Sequence, residues 1–244
     1  MDYSFVRERV EAVRARIAEA ASLSGRRPDE VELLAVTKFH PAEAMRAAWD
    51  AGLRSFGESR VQEAEAKFPA FLAEHPAARL DMIGHIQSNK AGKAVAIFSR
   101  LQSVDSSELL LDLDARSRAR GRRLEALLEL HTGEESKQGF SDAEELYRAL
   151  DLFLSKGDRS SGSTLGGGLS IRGLMTMAPN VEDEARIRSS FGALRDAFGE
   201  CRRRYSLPGF DVLSMGMSGD YAIAVEEGST LLRIGTALFG ERAI

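Results

Sequence analysis

The sequence is poor in residues that staple, ligate metal or span a bilayer. A single cysteine, Cys201, stands among 244 residues. No disulfide can tie the fold, which fits a reducing compartment. Within the run "CRRRY", Cys201 reads as an ordinary helix residue rather than a nucleophile. The four histidines, His40, His75, His85 and His131, form no H-x-x-x-H pair, so no metal site is expected. No apolar run is long enough to cross a membrane, and the N-terminus lacks an apolar signal region. Asp2, Glu8 and Glu11 interrupt an arginine-rich start that transit peptides would keep free of acids. There is no excess of basic charge, the net being −4, which argues against nucleic acid as a partner. The expected location is the cytoplasm.

What is present is ordinary in amount and regular in order. The hydrophobic fraction is 43% and the charged fraction 29%, as in soluble globular chains. Residues 1–30 carry Phe5, Val6, Val10, Val13 and Ile17 at helical spacing, which predicts one amphipathic helix packed on the rest of the chain. From residue 31 onward, eight strand-like runs appear: "VELLAVT", "LRSFG", "LDMIGHI", "RLQSV", "LEALLELH", "SIRGLMTM", "FDVLSM" and "STLLRIG". The first seven are followed by helical patterns beginning near Pro41, Arg60, Ser88, Ser106, Ser141, Val181 and Ser218. The eighth is followed only by "TALFGERAI".

Strict alternation means parallel strands with crossover helices. Eight units over residues 31–244 predict a single α/β domain, a (β/α)8 barrel of TIM type, with the N-terminal helix added. An open doubly wound sheet would carry a glycine-rich loop after its first strand, where this chain has "KFHP". One stretch, 155–170, is rich in Gly and Ser. It reads as a flexible surface loop, because it has neither the preceding strand nor the G-K-[ST] of a phosphate loop.

In such barrels the chemistry sits at the C-terminal strand ends, with phosphate often held after strands seven and eight. Those loops are "SMGMSGD" and "RIGT". The first brings Ser214, Gly216, Ser218 and Gly219 before a helix, where an anion is favoured; an ordinary capped turn is the plain alternative. In the eighth strand Leu232 and Ile234 share one face and Leu231, Arg233 and Gly235 the other. If the apolar pair packs under the helices, Arg233 points inward and needs a partner, either a ligand or an internal carboxylate such as Glu58. Lys38 ends the neighbouring first strand. A lysine there can simply snorkel to the surface. In a pocket beside an arginine, its amine becomes a better nucleophile toward aldehydes. A phosphate cup, an inward arginine and a strand-end lysine together describe a site for a phosphorylated aldehyde, for which pyridoxal 5'-phosphate (PLP) is the candidate.

The stretches "LLAVTK", "FGESRVQEAEAK", "MIGHIQSNK", "SVDS", "GEESKQGF", "RGLMTM" and "LSMGMSGDYAIAVEEGSTLLRIGTALFG" resemble the pyridoxal-phosphate homeostasis proteins, whose fold is like the barrel domain of alanine racemase. The resemblance covers most of the chain from residue 31. It implies PLP attached to Lys38 as a Schiff base. It also implies that Ser214, Met217 and Ser218, with Gly235 and Thr236, hold the phosphate, that Arg233 faces the ring nitrogen, and that Ile83 and Gly84 line the pocket wall. Ser59 stands where the family has asparagine near the cofactor. The resemblance implies a PLP-handling protein without substantial turnover, which could serve PLP-dependent apoenzymes. The alternative is an amino-acid racemase. Alanine racemase has a second domain that completes its site, and the chain leaves no room for one after Arg233, which favours the carrier. A pure interaction module would bind no cofactor. With no obvious dimerisation segment, the expected state is a monomer.

Overall fold

The structure is a computed structural model, and it describes residues 3–134, 138–156 and 167–241. The element order is α1 (Val6–Leu23), β1 (Glu32–Val36), α2 (Ala42–Asp50), β2 (Ser55–Glu58), α3 (Val61–Glu74), β3 (Arg79–Met82), α4 (Ala91–Ile97), β4 (Arg100–Val104), α5 (Ser107–Ala119), β5 (Leu124–Glu129), α6 (Ala143–Ser155), β6 (Leu169–Met175), α7 (Glu184–Arg204), β7 (Val212–Ser214), α8 (Tyr221–Glu226), β8 (Leu231–Ile234) and α9 (Thr236–Phe239). The eight strands are parallel and close into a barrel, with β1 paired to β8. All eight expected strands form, and the tail after β8 adds the short α9. The α/β barrel expectation is met.

Period-two alternation sorts the side chains. Ala35, Phe56, Leu80, Met82, Leu101, Leu128, Leu174, Leu213, Leu232 and Ile234 face outward into the main core beneath the helices. Leu34, Val36, Leu127, Met175, Val212 and Leu231 form a separate inner cluster, with Ile83 and Met177 packed on it. The helices bury matching stripes, such as Leu146, Leu150 and Phe153 of α6. Helix α1 buries Val6, Val10, Val13 and Ile17 against α2, α8 and α9. Cys201 is buried in α7, and burial pushes its thiol up to about 12, which makes it a poor nucleophile.

Most of the Gly/Ser-rich stretch, residues 157–166, lies outside the described residues. Its expected ends shift: Ser155 closes α6 and residues 169–170 open β6. There the backbone N–H groups of Gly168 and Leu169 are received by Asp114 of α5. Among the described residues, no helix is long and apolar enough to cross a membrane.

Candidate cofactor site at the barrel mouth

Arg233 is 4% exposed, and burial pulls its guanidinium down to about 10, still a cation at neutral pH. The sequence places it on the inner face of β8, and the alternation holds: its neighbours Leu232 and Ile234 lie in the outer core. It donates from Nη1 to Ser214 Oγ at 2.5 Å and from Nη2 to the Thr176 carbonyl at 2.7 Å. Two of its five N–H donors are thereby used.

The expected internal partner, Glu58, does not meet it. On β2 the inward place belongs to Gly57, whose added Cβ would lie 2.6 Å from Leu34 Cδ2. Glu58 therefore turns outward, accepting from Thr37 at 2.7 Å and pairing with Lys67 at 2.8 Å. The carboxylates whose charge does act on Arg233 are Glu129, at the end of β5, and, to a lesser degree, Asp220 in the loop after β7. Glu129 is 2% exposed, and its Oε2 has no hydrogen-bond partner among the described residues. Burial pushes it up to about 7, against the pull of Arg233 and with help from Asp105 and Glu134.

Lys38 follows β1 by two residues and is half-buried. Its loop is braced from α3. Lys67 Nζ donates to the carbonyls of Thr37 at 3.0 Å and His40 at 2.9 Å. It also pairs with Glu63 at 2.8 Å, and Glu63 in turn receives the Phe39 N–H. Phe39 takes φ +66°, a left-handed conformation rare for a bulky side chain. The brace holds that turn, and with it the backbone on both sides of Lys38.

The loops after β7 and β8 meet beside Arg233. Gly216 has φ +100°, and a Cβ there would sit 2.6 Å from Ala224 Cβ, so only glycine lets the loop lie this close to α8. Asp220 caps the turn through the Met217 N–H at 2.6 Å. Ser218 Oγ reaches across to accept the Ala237 N–H at 3.1 Å. The N–H groups of Ser218, Gly219 and Thr236 have no acceptor among the described residues. Uncommitted backbone donors of this kind suit an anion. The residues fit a phosphate-bearing aldehyde with a ring nitrogen: donors without acceptors at one end, a buried cationic donor within, and a lysine at the neighbouring strand end.

The structure brings Lys38, Met217, Ser218, Arg233, Gly235 and Thr236 to the β1, β7 and β8 end of the mouth. Ile83 packs on the inner cluster, as a pocket wall requires. Gly84 is held by the β2 loop: an added Cβ would lie 2.4 Å from the Ser59 carbonyl. Ser59 also borders a separate cleft of about 530 Å³, lined by Arg60, Gln62, His85, Gln87 and Lys90. Ser214 lies beneath Arg233, its hydroxyl already engaged.

Sequence reasoning missed Glu129, Gln102, Thr176 and Lys67. For Glu129 and Gln102 a signal existed. "RLQSV" and "LEALLE" place polar residues on the same parity as inward positions, the test that found Arg233.

The chain matches the family model "Alanine racemase, N-terminal domain" over residues 9–243. It is 36% identical to the pyridoxal phosphate homeostasis protein of Vibrio cholerae, covering 97% of this chain and 96% of that one. PipY of Synechococcus elongatus, solved with PLP bound, is 39% identical over 92% of this chain and 100% of its own, with a TM-score of 0.76. Alanine racemase from E. faecalis shares the fold at 17% identity and a TM-score of 0.69, and the match spans 58% of its chain. The chain therefore belongs to the alanine racemase N-terminal domain family and, within it, to the pyridoxal phosphate homeostasis proteins.

Proposed function

We propose that this protein binds PLP covalently through Lys38 and serves intracellular PLP homeostasis as a monomeric cytoplasmic carrier without substantial turnover, able to supply PLP-dependent apoenzymes. The observation that carries this reading is a buried, donor-only arginine at the barrel mouth, beside converging loops with uncommitted N–H groups and a braced lysine on the adjacent strand. When bound, PLP supplies an aldehyde that condenses with amines and a ring that withdraws electrons. Lys38 offers the amine. Met217, Ser218, Gly235 and Thr236 surround the phosphate position, and Ile83 and Gly84 wall the ring. Ser59, shorter than asparagine, offers fewer hydrogen bonds at its edge.

Arg233 orients the ring by donating to its nitrogen. A guanidinium has no acceptor, so it keeps that nitrogen unprotonated and the ring a weak electron sink. This favours holding the cofactor over turning substrates with it. The racemase reading has less support: the match spans nearly the full length of the homeostasis relative but 58% of the E. faecalis racemase.

The test is a titration of the purified protein with PLP, followed by borohydride reduction and peptide mapping. A visible band and an adduct on Lys38 are expected, with neither in Lys38→Ala. An adduct on Lys90 or another lysine refutes the assignment. Racemisation of alanine at about 1 per second or faster, lost in Lys38→Ala, would establish the enzyme reading instead.

A further inference from the structure

A chain of buried polar side chains runs through the barrel from Arg233 to its opposite end, and its direction is fixed by what each group can do. Arg233 Nη1 can only donate, so Ser214 Oγ accepts, at 2.5 Å. The hydroxyl has one hydrogen, and its other contact is Gln102 Oε1 at 2.7 Å. The amide of Gln102 then faces Asp81, donating from Nε2 to Oδ2 at 2.6 Å. The same oxygen receives Arg100 Nε at 2.6 Å. Arg233 is 4% exposed, Arg100 2%, and Ser214, Gln102 and Asp81 are wholly buried. From the mouth inward, each donor points toward Asp81. The order cannot be reversed, because neither guanidinium accepts.

We infer that Gln102 is a positioning residue for Arg233, acting through Ser214. The inference rests on the reading that Arg233 faces the PLP ring. The chain, with the second bond to the Thr176 carbonyl, fixes the guanidinium before ligand arrives. Its cost of ordering is thus met during folding rather than on binding. Gln102 lies on β4, two links from the arginine, and is wholly buried. The chain also assigns Ser214 a role. Its only hydrogen is committed to Gln102, so it serves the ligand by holding Arg233, not by donating to phosphate.

A residue that acts through another is identified by a double-mutant cycle. PLP is titrated, by its visible band, into wild type, Gln102→Leu, Arg233→Gln and the double variant. Melting temperatures of the cofactor-free proteins are recorded alongside. We expect Gln102→Leu to weaken PLP about tenfold, as for the loss of one link in a buried network. In the Arg233→Gln background the same change should cost less than about twofold. Gln102→His should recover affinity to within about threefold, since a neutral imidazole accepts on one nitrogen and donates on the other. Equal losses in both backgrounds, or no loss at all, would overturn the inference and leave Gln102 a packing residue. If Gln102→Leu does not fold, Ser214→Ala cuts the same chain and enters the same cycle. Wild type that fails to bind PLP refutes the cofactor reading itself; wild type that binds, with a cycle that shows no coupling, refutes only the positioning role.

Discussion

The two ends of the barrel handle charge in opposite ways. At the N-terminal end, Glu125 is shared by Arg79 and Arg172 at 2.6 Å each and by Arg100 at 3.8 Å. Arg100 also meets Glu32 at 3.3 Å, and Glu32 accepts from Ser55. Arg172 goes on to Asp211 at 2.9 Å. Each of these charges has an opposite neighbour. At the C-terminal mouth Glu58 and Glu129 each keep a buried oxygen without a partner among the described residues, Phe39 takes a left-handed turn, and loop N–H groups stand uncommitted. The difference matches the division of labour in such barrels, with stability at the bottom and chemistry at the top. Below the mouth Asp81 also leaves Oδ1 without a partner among the described residues, but its Oδ2 holds Arg100 at 2.6 Å. The unsatisfied N–H groups at the mouth face where a ligand would complete them.

Changes at the two ends should separate ligand affinity from stability. The largest effect falls at the mouth. Arg233→Ala should keep the covalent adduct on Lys38 but weaken PLP by one to two decades, the loss of a charged hydrogen bond worth roughly 1.5–3 kcal/mol. Arg233 has no tight ion pair to break among the described residues, so losing its two hydrogen bonds, to Ser214 and the Thr176 carbonyl, should lower the melting temperature of the cofactor-free protein less than Glu125→Ala does. Dialysis against buffer with absorbance readout checks the first point and calorimetry the second. A large fall in melting temperature with unchanged affinity would move Arg233 to the structural side.

At the bottom the reverse is expected. Glu125→Ala removes the carboxylate common to three arginines and should cost about 2 kcal/mol in urea unfolding, while PLP affinity on the folded protein stays within about twofold. A loss of affinity comparable to that of Arg233→Ala would dissolve the contrast between the ends.

The smallest effect concerns Glu129. Its folded carboxyl holds a proton up to about pH 7 against an ordinary value of 4.5. The stability it contributes is therefore complete below about pH 4.5 and lost as pH rises through 7. Glu129→Gln, which keeps the neutral shape, should be more stable than wild type at pH 8, on the order of 1 kcal/mol, with the gap closing toward pH 5. Urea midpoints at both pH values test this. A gap that widens on acidification would mean the carboxylate is held charged by Arg233.

The barrel was legible because alternation of strand and helix, and of inner and outer face within each strand, is written residue by residue. "STLLRIG" alone placed Arg233 inside and Leu232 outside. The partner of that arginine was not legible. Glu58 has the right residue type at the right end of β2, one strand removed from β8 across β1, but a one-residue difference in parity sends it toward α3, and only the register of β2 reveals that. Lys67 was hidden for a different reason. On sequence it is one more polar position of a surface helix, and its role depends on where α3 crosses the Lys38 loop. The link between Gln102 and Ser214 was not legible, because it joins strands far apart in the chain.

The pairing of β1 with β8 carries a consequence for biosynthesis. Lys38 follows the first strand made and Arg233 lies on the last, so the two halves of the site are emitted at opposite ends of translation. A nascent chain exposes the lysine early but lacks the arginine and the anion-binding loops until β8 has been synthesised and closes the ring. Closure between distant segments is the slow, late step in folds of high contact order. If Lys38 is the point of attachment, capture of an aldehyde waits for a finished barrel, and cofactor occupancy would report that folding has run to completion.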